Sequence, residues 1–187
     1  MPWRNKARAL LRAFAAAVLL LGVLPAPAAG TGNETWKALG ESAWIPDGRA
    51  NAPRVVYVFI DPNCPYCSRF WSDARPWVES GKVQLRHVMV GILGSTSPAK
   101  AAAILSAKDP TAALAANERH HSPGGSAPHA WTDATALAKL KANEALMRRL
   151  GSEATPTVFY RDSSGSVRRL LGAPASPEAL REVLGPG

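Results

Sequence analysis

One segment constrains the fold more than any other. Residues 55–60 read Val-Val-Tyr-Val-Phe-Ile, and Asp61-Pro62-Asn63 carries them directly into Cys64-Pro65-Tyr66-Cys67. An unbroken β-branched and aromatic run is the pattern of a strand covered on both faces. Asp61-Pro62-Asn63 breaks that strand, and the Cys-Pro-Tyr-Cys segment opens a predicted helix toward Ser80 with a kink at Pro76.

The rest of the chain alternates in the same way. A short helix is expected over Asn33 to Gly40 and a second strand over Val83 to Val90. Ser97-Pro98 reads as an N-cap followed by proline at the first helical position, starting an alanine-rich helix to Lys108. Asn117 to Ala130, rich in His, Gly, Ser and Pro, reads as a loop. Thr132-Asp133 caps a long helix that Gly151 closes. Thr157 to Arg161 and Val167 to Leu171 flank Asp162-Ser163-Ser164-Gly165 as a hairpin, and Ser176-Pro177 starts a last helix ended by Gly185. This order predicts an α/β sandwich with a mixed sheet, without internal repeats.

The first residues read as an address label. Basic Met1 to Arg12 precedes apolar Ala13 to Leu24, then Pro25-Ala26-Pro27-Ala28-Ala29, the three parts of a secretory signal peptide. The apolar run of 12 residues is short against the roughly 20 helical residues that span a bilayer. An uncleaved membrane anchor is the competing reading. Export permits disulfide chemistry. The net charge of +8 shrinks once Arg4, Lys6, Arg8 and Arg12 are set aside, leaving 18 basic against 14 acidic residues. So mild an excess does not argue for a nucleic-acid partner. With 47% hydrophobic and 19% charged residues, the chain is no disordered polyelectrolyte.

The chemistry lies in the cysteines, the only two in the chain. Cys64 and Cys67 are spaced to close a disulfide within one helical turn, a ring too small to be an effective staple. At a helix N-terminus, unpaired N–H groups and the helix dipole favour a thiolate on the first cysteine. Cys67, one turn further in, is placed to resolve a mixed disulfide. A structural zinc site needs four ligands, and haem attachment needs His where Ser68 stands. A purely structural disulfide remains the bland alternative.

From Trp36 to about Leu184 the chain resembles the periplasmic thiol-disulfide interchange proteins of the DsbG and DsbC type, the DsbG branch above all. The resemblance is carried by Trp44-Ile45-Pro46-Asp47-Gly48, by Val56 through Cys67, and by Phe70-Trp71. Ala74-Arg75-Pro76-Trp77-Val78, Ser80 through Arg86, Ser97-Pro98 through Leu105 and Lys108-Asp109-Pro110 extend it. Leu150-Gly151 and Ala154-Thr155-Pro156 complete it. It implies an α/β thioredoxin-like fold with a helical insertion over about 91–150. It also implies that Thr155 and a cis Pro156 face the dithiol and bind the substrate chain. Pro65 and Tyr66, between the cysteines at an exposed turn, are read as substrate-binding residues, with Tyr66 touching substrate or tuning the redox potential. The expected organisation is a signal peptide over 1–28, a residual linker helix and lead-in over 29–50, and a catalytic domain over 51–187.

The chain departs from that family in two places. Only Ala29 to Thr35 precede Trp36 where the relatives carry a dimerisation domain, so a monomer is expected. The stretch from Glu118 to Gly125, with His120, His121 and nearby His129, looks unlike the family and reads as a solvated loop rather than a weak metal site. Phe70, Trp71, Trp36, Trp44 and Trp77 read as packing residues, and Arg168-Arg169 as a solvated strand edge. The function expected is a periplasmic thiol-disulfide oxidoreductase that exchanges disulfides with secreted proteins or reduces sulfenic acids. It needs no cofactor or metal beyond the redox-active Cys64–Cys67 pair, and by resemblance a membrane reductant of the DsbD type keeps it reduced. A chaperone-like binder of unfolded chains is the alternative. A glutaredoxin, which also uses Cys-Pro-Tyr-Cys, fits neither the leader nor the insertion.

Overall fold

The computed structural model describes residues 31–121 and 133–186. The leader, Thr132, His129 and most of the expected loop lie outside the described residues. Among those described, the chain opens with helix α1 (Gly32–Gly40), edge strand β1 (Trp44–Asp47) and strand β2 (Arg54–Ile60). Helices α2 (Pro65–Asp73) and α3 (Arg75–Glu79) lead to strand β3 (Val83–Met89). Three helices follow, α4 (Ser97–Ser106), α5 (Pro110–Arg119) and α6 (Ala134–Arg149). The hairpin β4 (Thr157–Arg161) and β5 (Val167–Leu171) and helix α7 (Pro177–Leu184) close the fold.

The sheet runs in the order β1-β3-β2-β4-β5. β2 is central, parallel to β3 and antiparallel to β4, while β1 and β5 are antiparallel edges. This position explains the composition of β2. Val56, Val58 and Ile60 point into the larger core with Phe70, Leu85, Leu105 and Leu140. Tyr57 and Phe59 point the other way, packing with Leu39, Val88, Met147 and Phe159. Alternate side chains leave a strand on opposite faces, so a strand with layers on both sides must be apolar throughout. Each such side chain contributes about 1.5–3 kcal/mol by leaving water.

Short-range chemistry sets the helix ends. Thr31 and Glu34 form a capping box on α1, and Asp133 accepts the Thr135 and Ala136 N–H groups at 2.9 and 3.0 Å. Gly151 takes φ +70° just beyond α6, as a C-terminal glycine should. The hairpin and the last helix fall where the sequence puts them.

Several expectations are corrected. The helix after the cysteines does not kink at Pro76; it stops at Asp73, and α3 starts anew with Pro76 in its first turn. Ser97 is not the N-cap of α4, which is Thr96 without a side-chain cap; the Ser97 hydroxyl donates instead to Asp61 and the Leu93 carbonyl. That helix ends at Ser106, and a separate helix begins at Pro110, capped by Asp109 on Ala112 N at 2.9 Å. Asn117, Glu118 and Arg119 therefore close α5 and are not loop. Arg168 and Arg169 do lie exposed on edge strand β5, as expected, and there Arg168 meets Asp162 at 2.6 Å and Arg169 the Leu150 and Gly151 carbonyls at 2.6 and 2.9 Å.

The aromatic residues pack as expected. Trp36 meets Tyr57 edge-on at 5.0 Å, Arg86 lies over Trp44, and Trp77 donates to the Gly185 carbonyl at 2.9 Å. Phe70 and Trp71 are buried.

Candidate active site

Cys64 occupies the N-cap of α2, in extended backbone geometry with Pro65 next. Its sulfur accepts the Cys67 backbone N–H at 3.2 Å. This is the contact that a helix N-terminus offers an anion, since its first N–H groups have no partner within the helix. Hydrogen bonding from the Cys67 side chain, from Thr155 and from the Cys67 and Tyr66 backbone outweighs burial and lowers the Cys64 thiol to about 7. Cys67 goes the other way. Burial first, then the hydrogen bond and charge of Cys64, push its thiol well above the ordinary value. Two chemically identical side chains are thus driven apart, one toward a nucleophile and one toward a protonated thiol.

Thr155 faces Cys64 from across the site. The Cys64 thiol donates to the Thr155 carbonyl at 3.3 Å, and the Thr155–Pro156 peptide is cis. The Thr155 hydroxyl is buried and makes no hydrogen bond of full geometry with the thiol form. It is a spare donor for the thiolate, and it acts on Cys64 in that direction. Beyond Ala154 an open cleft is lined by Arg148, Gly151, Ser152, Glu153, Ala154 and Leu171.

A third group of residues fixes the turn that presents Cys64. Asp61, fully buried, accepts four hydrogen bonds. Asn63 N and the Ser97 hydroxyl reach Oδ1 at 2.8 and 2.7 Å, and Ile92 N and Leu93 N reach Oδ2 at 2.6 and 2.9 Å. Asn63 adds bonds to the Leu93 carbonyl and the Thr96 and Ser97 hydroxyls, and accepts from Lys100 at 2.9 Å. Gly91 makes the close approach possible, because a Cβ there would lie 2.7 Å from the Pro98 Cα. The connection after β3 is thereby clasped to the cysteine turn.

Glu118 is the remaining nearby group. It is 3% exposed, its backbone carbonyl accepts the Ser68 hydroxyl at 2.6 Å, and Oε1 accepts the Asn117 amide at 3.2 Å. Burial, with the charges of Cys64 and Asp61, pushes its carboxyl up to about 8.

The structure brings Cys64, Cys67, Thr155 and the adjoining Pro156 together. Pro65 and Tyr66 stand outside this cluster, on the exposed first turn of α2, with Tyr66 62% exposed. Asp61, Asn63, Ser97, Lys100 and Glu118 were not singled out by sequence reasoning. A signal existed for the first two, since an Asp and an Asn between a buried strand and a cysteine have backbone donors within reach. None existed for Glu118. No group of three His, Cys, Asp or Glu suited to a metal occurs among the described residues.

Two cysteines at the N-terminus of the helix that leaves a central strand, the first facing the carbonyl of the residue before a cis-proline, define a thioredoxin-like dithiol protein. The chain belongs to the thioredoxin-like domain family, whose model matches residues 47–186. It is 50% identical over 154 residues to the thiol:disulfide interchange protein DsbG of Pseudomonas aeruginosa, covering 82% of this chain and 60% of that one. It is 42% identical over 160 residues to DsbG of Escherichia coli, covering 84% and 63%. The DsbG-type resemblance is borne out, and the chain spans about three-fifths of the length of these curated relatives. Among solved structures, the catalytic domain of Proteus mirabilis ScsC matches with a TM-score of 0.66 at 26% identity, over 81% of this chain and 93% of that one. DsbA2 of Pseudomonas aeruginosa shares the fold, with a TM-score of 0.58 at 20% identity over 74% and 90%.

Proposed function

We propose that the chain is a thiol-disulfide oxidoreductase acting on exported proteins. The observation that carries this reading is Cys64 at the N-cap of α2, its sulfur 3.2 Å from the Cys67 N–H and 3.3 Å from the Thr155 carbonyl, with Cys67 one turn further in. The Cys64 thiol is lowered and the Cys67 thiol raised accordingly. The Cys64 thiolate attacks one sulfur of a substrate disulfide, and the other leaves as a thiolate that takes a proton from water. Cys67 then attacks the Cys64 sulfur, forming the Cys64–Cys67 bond and releasing the second substrate thiolate. Two electrons pass from dithiol to substrate. A sulfenic acid on a substrate cysteine is open to the same first attack.

Thr155, Pro156, Pro65 and Tyr66 are the proposed substrate surface, supported by Thr155 facing Cys64 and by the exposure of Tyr66. A periplasmic location is supported by the basic and apolar leader. A DsbD-type membrane reductant and a monomeric working form belong to the same reading, the second tested by light scattering. The deciding experiment pairs the Cys64→Ser, Cys67→Ser double variant with a Cys67→Ser trap. The double variant should lose all disulfide exchange, and the trap should accumulate a covalent adduct on Cys64. A double variant that keeps full activity on unfolded chains would instead make the protein a non-redox binder.

A further inference from the structure

We propose, on the thiol-disulfide reading above, that the buried hydroxyls of Ser152 and Thr157 are a positioning pair that holds Thr155 against Cys64 from behind.

Thr157 is the first residue of β4 and is completely buried, opposite Phe59 on β2 and Leu171 on β5. The sheet therefore fixes it from both sides. Its hydroxyl donates to the Ala154 carbonyl at 2.5 Å and lies 2.5 Å from the Ser152 hydroxyl, which is also buried. A hydroxyl carries one hydrogen, and a carbonyl only accepts. Thr157 thus commits its hydrogen to Ala154, and Ser152 must donate to Thr157. The Ser152 N–H in turn donates to the Met147 carbonyl at 3.1 Å, in the last turn of α6. The turn over 152–156 is anchored to that helix at one end and to the central sheet at the other.

Three successive carbonyls show what this anchoring does. That of Ala154 is held by Thr157, and that of Pro156 accepts the Gly172 N–H at 2.8 Å. The middle one, of Thr155, is the one that faces the Cys64 sulfur, at 3.3 Å. The Thr155 hydroxyl is buried without a partner among the described residues, and it favours the Cys64 thiolate. With a bond fixed on each flank, Thr155 cannot turn from the sulfur without breaking a buried hydrogen bond, which is penalised. Ala154 itself is exposed. Without the Thr157 hydroxyl its carbonyl is free to swing toward water, and the Thr155 donor moves away from the thiolate with it.

Alkylation of the reduced protein against pH, read by mass spectrometry, tests this. In Thr157→Val the Cys64 midpoint should rise by about half a unit, which is roughly threefold slower labelling at pH 6. Thr157→Ser keeps the hydroxyl and should stay within about 1.3-fold of wild type. In a Thr155→Val background, Thr157→Val should add less than about 1.3-fold, because the donor it positions is already gone. Ser152→Ala leaves the donor on Ala154 but removes the partner that orients it, and should slow labelling at pH 6 about twofold. An unmoved midpoint in Thr157→Val would overturn the proposal. So would a Thr157→Ser as slow as the valine variant, or a full shift in the Thr155→Val background. Where Thr157→Val does not fold, Ser152→Ala decides, and a wild-type rate there overturns the pair. All of these results leave the thiol-disulfide reading standing. That reading itself falls if wild-type Cys64 titrates as a free thiol and shows no fast labelling.

Discussion

The backbone N–H of Cys67 points at the sulfur of Cys64, 3.2 Å away. A donor fixed there stabilises the thiolate before any substrate arrives. Alkylation of the reduced protein should therefore accelerate as pH rises through about 7 and plateau above it, because below that point the sulfur is protonated. Labelling should fall on Cys64 alone, with Cys67 silent in the native state, and Cys64→Ser should abolish the fast phase. Rates read by mass spectrometry against pH check this. A midpoint near that of a free thiol, or faster labelling of Cys67, would reverse the assigned roles.

Thr155→Val isolates the hydroxyl that faces the thiolate. The swap preserves side-chain shape and removes one donor, so the Cys64 alkylation midpoint should move up by roughly one unit, about the worth of a hydrogen bond to a charged group. At pH 6 the labelling rate should fall several-fold. Thermal stability should change little, since the hydroxyl makes no other hydrogen bond.

Asp61→Ala should destabilise the protein by about 3–4 kcal/mol in urea unfolding. It strands the N–H groups of Asn63, Ile92 and Leu93 and the Ser97 hydroxyl together, although partial relaxation keeps the loss below the sum. A loss under about 1 kcal/mol would mean that water replaces the carboxyl without penalty.

Legibility in the sequence followed the range of the interaction. β2, the cysteine helix and the hairpin were readable because an apolar run, Pro65 and Ser164-Gly165 act within a few residues. β1 was not read as a strand, since four residues carrying Pro46 show no period, and proline is tolerated there only because the strand is an edge. At Ser97 the local rule for Ser-Pro loses to a buried acceptor 36 residues away. α5 was missed because Asp109-Pro110 reads equally as a turn, although it is a cap followed by a first-turn proline. Glu118 was hidden by its neighbours, whose His, Gly, Ser and Pro content suggests solvent.

Arg75→Met should cost about 2–3 kcal/mol near neutral pH. Arg75 and His87 both bond Asp47 in the angle between α3 and β3, with Arg75 Nη1 at 3.0 Å and His87 Nε2 at 3.2 Å. Burial alone would raise the Asp47 carboxyl, yet the hydrogen bonds and the charges of His87 and Arg75 hold it well below its usual range. A carboxyl lowered on folding adds stability above its unfolded value, about 3.9, and that stability drains away as pH falls further. The variant has less to lose, so the gap between the two proteins should narrow below about pH 4. Urea midpoints between pH 2 and 7 would show it, and a gap independent of pH would rule out the charge interaction.

The clasp at Asp61 also sets a rule for recombination. A domain of this kind invites transplantation of its α4–α6 segment between relatives, with cuts placed in the connections on either side. Here the N-terminal cut cannot fall freely. Asp61 and Asn63 hold Ile92, Leu93 and Ser97 by backbone and hydroxyl groups, and the Pro98 backbone leaves no room for a side chain at residue 91. A donor segment that brings its own residues 91–97 without matching partners after β2 would leave the nucleophile's turn untethered. The unit of exchange is therefore the cysteine turn together with the start of the helical segment, although 27 residues separate Asn63 from Gly91 in the chain.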